Sequence, residues 1–170
     1  MSNVAMFPPG RVKRLTAAGA AVAHALEHAK AGFAVLPCSP GGKLLLGLKP
    51  AAATLDPVTI HRWWDEAPGA STAVPLGSIS GVIAVELLGP PEVVAPMRAA
   101  TERKLGKSAV SASAAGKALL FYRKSGATPS DELTFRMPDG RKGAQHFHGD
   151  GRILVLGNVA KAPPRVVRAA

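Results

Sequence analysis

Cysteine is almost missing from this sequence. Cys38 stands alone, so the chain can close no internal disulfide and build no cysteine-based zinc cluster, which excludes zinc-ribbon and zinc-finger readings. Within FAVLPCSPGG it reads as a small buried hydrophobe ending a strand rather than as a nucleophile. Long apolar runs are missing too. None approaches the roughly 18 to 20 residues that span a bilayer, and the N-terminal stretch MSNVAMFPPGRVKRL lacks the apolar core of a secretory signal. A cytoplasmic protein with no membrane partner is expected. Acidic residues are scarce, 11 against 21 Lys and Arg, which leaves a formal charge of +10. Such an excess favours a polyanionic partner, nucleic acid first, through counterion release and electrostatic steering. The alternative is that Arg11, Lys13, Arg14, Lys161, Arg165 and Arg168 only solubilise the two ends.

What is present suffices for a core. With 170 residues, 47% of them hydrophobic and 19% charged, the chain is expected to fold as one domain. The reading divides it into a basic arm at 1–14, a domain at 15–160 and an irregular basic tail at 161–170. LTAAGAAVAHALEHAKAGF, residues 15–33, reads as a helix closed by Gly32. FAVLPCS is a short strand, and GGKLLLGLKPAAATLD is loop-rich. DPVTIHRWWDEAP is a short helix with Asp56 as N-cap, Pro57 at its first position and Trp63 and Trp64 packed on the core. SGVIAVELLG is a strand, and PPEVVAPMRAATERKLG a helix introduced by prolines. SAVSASAAGKALLFYRK gives two strands around a small-residue turn. PDG at 138–140 and GDG at 149–151 are expected to connect antiparallel strands as hairpins. Strands that follow one another without strict alternation with helices imply an α+β fold.

Candidate chemistry is thin. Neither SPGGKLLLG nor SAAGKALLF has the GxxxxGK[ST] spacing of a phosphate loop, although Lys43 can still touch a phosphate. GSISG, residues 77–81, misplaces its serines for a nucleophile elbow. His146 and His148 in QHFHGDG fall on one strand face, with Asp150 two residues on. These three would hold a metal if one is bound, since imidazole and carboxylate are common zinc ligands. The plain alternative is a solvent-facing polar row before a turn. Glu86 ends an apolar strand as its single carboxylate. If buried it needs a basic partner, with Lys117, Arg123 and Arg152 available.

Taken together, AGFAVLPCSPGGK, the run LKPAAATLDPVTIHRWWDEAPGASTAVPLG and the strand SGVIAVELLG resemble the N-terminal prim-pol (bifunctional DNA primase/polymerase) domain of the archaeo-eukaryotic primase superfamily. The likeness runs from about Ala20 to about Pro164. It implies a prim-pol-like, RRM-related mixed sheet with flanking helices. It also implies paired carboxylates for a divalent metal pair, a histidine contacting the incoming nucleotide, and a third carboxylate. On these motifs Glu86 takes the first acidic position and Leu88 the second. Ala118 falls where the histidine belongs, after Ala115, Gly116 and Lys117, and His146 where the third carboxylate belongs. The resemblance therefore implies a pseudoenzyme with no catalytic residues, Glu86 and His146 being remnants, and with neither metal nor other cofactor. Its expected role is nucleic-acid binding in DNA replication or its regulation, through Lys43, Lys49, Lys117, Arg123, Lys124, Arg141, Lys142 and Arg152, with Arg62 and Arg136 as further phosphate contacts. Two alternatives stay open: an active primase or polymerase using Mg²⁺ or Mn²⁺ at Glu86, His146, His148 and Asp150, and a protein-interaction module.

Overall fold

A computed structural model describes residues 17–108, 111–114, 116–123, 132–157 and 165–168. The arm at 1–14 and Lys124 lie outside them. Helix α1, Ala17–Lys30, is alanine-rich and buries Ala21, Ala25 and Ala29 in one i, i+4 line, the spacing that keeps a stripe on one helix face. It ends where Gly32 turns to a φ of 87°. Strand β1, Leu36–Cys38, follows, and a 3-10 turn at Pro50–Ala52 leads to α2, Pro57–Glu66. The Asp56 carboxylate caps α2, accepting from the amides of Val58 at 3.3 Å and Thr59 at 2.9 Å. Trp63 and Trp64 are buried, and the Trp64 indole donates to the Ala70 carbonyl at 3.2 Å, so the large ring enters the core with its one polar atom satisfied.

Strands β2, Ser71–Pro75, and β3, Val82–Leu88, come next, then helix α3, Pro91–Leu105, with Pro91 at its start and Glu92 in its first turn. The remaining strands are β4, Ser111–Ala114, β5, Lys117–Arg123, β6, Glu132–Arg136, β7, Lys142–His148, β8, Arg152–Gly157, and β9, Arg165–Arg168. The α+β class holds. The described residues form two sheets, ordered β1-β2-β8-β9 and β4-β5-β3-β7-β6, and every strand pairing among them is antiparallel.

Two expectations change. The tail at 161–170 is not irregular throughout: Arg165–Arg168 pair with β8 as an edge strand, and Val166 packs on the main core. PDG does join the hairpin β6–β7, but GDG does not close a hairpin, because β7 and β8 lie in different sheets. The chain turns a corner there. The Asp150 carboxylate fixes it by accepting from the Ser78 amide at 2.6 Å, and a Cβ added at Gly77 would overlap Asp150.

The two faces of the five-stranded sheet differ. Val85, Leu87, Ala118 and Leu120 pack under α3 with Val93, Val94 and Met97. Val82, Ala84, Leu119 and Phe121 point the other way, into the larger core shared with α1, α2 and the first sheet. Period-two alternation continues that second face along β3 to Glu86 and Leu88.

Candidate functional site

Glu86 is flanked across the sheet by Leu119 of β5 and His146 of β7. One row towards the strand start, Ala84 lies between Phe121 and His148. One row towards its end, Leu88 lies between Lys117 and Ala144. Both polar side-chain contacts of Glu86 are therefore diagonal, the reach that long side chains have across neighbouring strands. The Lys117 ammonium donates to one carboxylate oxygen at 2.5 Å, and His148 Nε2 meets the other at 3.0 Å. His146 stacks on His148 with ring centroids 6.2 Å apart.

The Glu86 side chain is only 15% exposed. Its pKa is nevertheless lowered to about 2, chiefly by the His148 hydrogen bond and further by Lys117, against burial, which raises it. Hydrogen bonds and charge that favour the anion outweigh desolvation here. Of the three cations that could have partnered Glu86, Lys117 does so.

Ala118 is buried under α3 beside Leu87, on the face away from Glu86, and the β5 residue directly beside Glu86 is Leu119. Leu88 does share the Glu86 face. Asp150 is separated from His146 and His148: it is exposed at the corner and bound to Ser78. Among the described residues no group of three or more His, Cys, Asp or Glu stands together as a metal site.

The proposed cations do not form one patch. Lys117 and Arg123 begin and end the same strand, roughly 20 Å apart at strand rise, and the Arg123 guanidinium lies over the Gly32 carbonyl at 3.5 Å. Lys43 sits in an exposed turn whose amide donates to Ser39 at 3.1 Å, Lys49 precedes the 3-10 turn, and Arg62 is exposed on α2. Arg152, also exposed, opens β8 beyond the corner. Arg141 is bound to Glu92 at 3.0 Å and Asp139 at 2.5 Å, which ties the PDG turn to the start of α3. Lys142, by alternation with Ala144 and His146, shares the Glu86 face, and Arg136 pairs with it across the hairpin. Lys117, Lys142 and Arg136 thus share the Glu86 face towards one end of the sheet, Lys117 and Lys142 roughly 12 Å apart and Lys142 roughly 14 Å from Glu86 by strand geometry, and Glu132, paired with His146, lies on that face in the row of Glu86.

Fold and site together define an α+β domain with a strand-borne acidic centre on one face of an antiparallel sheet. Residues 25–167 match the family model Prim-Pol, described as bifunctional DNA primase/polymerase, N-terminal; the chain belongs to this family. No curated protein matches it. No helix among the described residues is long and apolar enough to cross a membrane.

Sequence reasoning placed both histidines on one face but missed the contact of His148 with Glu86. Strand alternation supplies the face; which strands neighbour one another, and in which register, has no local signal. A divalent metal of the kind the family implies would have to displace a cationic or imidazole donor from each oxygen it takes on Glu86; the ladder neighbours are Leu119 and His146, Leu88 two residues on is apolar, and Glu132 stands beyond His146 in the same row.

Proposed function

We propose that this Prim-Pol domain is catalytically silent and works by binding nucleic acid. The observation that carries the reading is the closed state of Glu86. Nucleotidyl transfer by a metal pair needs carboxylates with oxygens available to bridge two cations, and Glu86 spends its oxygens on Lys117 and His148. The formal charge of +10 and the placement of Lys117, Lys142 and Arg136 on the Glu86 face of the sheet support a phosphate-bearing ligand. Family membership supports nucleic acid as its source.

The test is a pair of assays on one preparation. Template-dependent nucleotide incorporation with Mg²⁺ or Mn²⁺ is expected to be absent, while DNA or RNA is shifted with a steep salt dependence. Incorporation that disappears in Glu86→Ala would overturn the reading in favour of an active enzyme. Failure to bind any nucleic acid would overturn it in favour of a protein-interaction role.

A further inference from the structure

We infer that Lys117 is a tethered cation standing where a metal would otherwise sit, so that a phosphate group binds beside Glu86 without any divalent ion. The inference rests on the nucleic-acid-binding reading and adds to it the identity of the cation.

The donor set carries it. A divalent ion approaching Glu86 must displace the Lys117 ammonium from one oxygen, 2.5 Å away, or His148 from the other, 3.0 Å away. Leu119 and Leu88 on that face offer it no ligand, and the next carboxylate of the row, Glu132, stands two strands away beyond His146. Hard cations such as Mg²⁺ are held by oxygen ligands, and a single carboxylate beside an ammonium is a poor site for them. An ammonium, by contrast, is a compact charge with three donors. Lys117 gives one to Glu86, and with its side chain 34% exposed it can turn the others to phosphate oxygens arriving from solvent.

Glu86 then has the role of a positioning residue. It fixes the ammonium over the sheet and partly neutralises it, while Lys142 and Arg136 at the same end supply the surplus positive charge. The ligand chemistry is a phosphate group, from a nucleic-acid backbone or from a free nucleotide.

Two variants have opposite signs on this account. Fluorescence anisotropy is measured with a labelled oligonucleotide and, separately, with a fluorescent nucleoside triphosphate, each in EDTA and in Mg²⁺. Wild-type affinity is expected to be the same in both buffers. Lys117→Met should weaken binding several-fold and reduce the salt slope by about one, whereas Lys117→Arg should retain most of the affinity. Glu86→Gln, which unmasks the ammonium, should tighten binding, a result that a misfolded variant cannot give. Binding by the oligonucleotide alone assigns the site to a backbone phosphate, and binding by the triphosphate alone assigns it to a free nucleotide. Affinity lost in EDTA, or lost in Glu86→Gln while Lys117→Met binds normally, would show a metal held by Glu86 and overturn the inference. A wild-type protein that binds neither probe overturns the nucleic-acid reading itself.

Discussion

The Glu86 carboxylate is stable as an anion because two donors meet it, and each donor can be removed separately. Lys117→Met leaves a charge that is 15% exposed with His148 as its remaining contact. Leaving a buried acceptor short of a partner costs about 1–3 kcal/mol, so denaturant unfolding should show a loss in that range. The double variant Glu86→Gln/Lys117→Met, which removes both charges, should regain part of it. Acid tests the same contact. A carboxyl whose folded pKa is lowered from 4.5 to about 2 contributes stability that is fully present above about pH 4.5 and is lost as pH falls towards 2. Unfolding measured across that window should show a pH-dependent loss that is smaller in Glu86→Gln. His28 on α1 behaves in the opposite chemical sense. Burial, with the charge of His24, lowers its pKa to about 4, so the fold favours the neutral ring and loses stability as pH falls from 6.5 towards 4. His28→Gln should flatten that part of the profile.

Elements were legible where local chemistry decides them. Asp56, Pro57 and the tryptophan pair announced α2 because capping and a proline at the first position act within one turn. The proline pair likewise announced α3. The corner at GDG and the strand at Arg165–Arg168 were not legible. Both depend on which sheet a segment joins, and pairing between strands distant in sequence leaves no local mark. The face that Ala118 takes has the same root, since a one-residue change of register in β5 moves every side chain to the other face. Close approach was equally invisible. Gly143 lies where α3 crosses β7, and an added Cβ would meet the Met97 sulfur and the Leu88 carbonyl within 3.0 Å. Gly143→Ala is therefore expected to cost about 1–3 kcal/mol as an overpacked contact, read as a lowered unfolding midpoint with an unchanged denaturant slope. A slope that changes as well would place the effect in the denatured state or in broken cooperativity.

The described residues' two antiparallel sheets and three α-helices present one face of the second sheet with an ion pair on it and cations towards one end. The sequence placed Glu86 on a strand and supplied the charge excess, but the distribution of that charge had to be seen. Arg123 is held over Gly32 and Arg141 is neutralised by Glu92 and Asp139, so net charge overstates the number of cations on the Glu86 face. The central claim, that this domain binds nucleic acid through a cationic face without metal chemistry, is tested most directly by oligonucleotide affinity measured in EDTA across a salt series. Log K is expected to fall linearly with log salt, with a slope of about −0.9 for each duplex phosphate contacted or about −0.7 for a single strand. Binding that appears only when a divalent ion is added, or no binding at low salt, would contradict it.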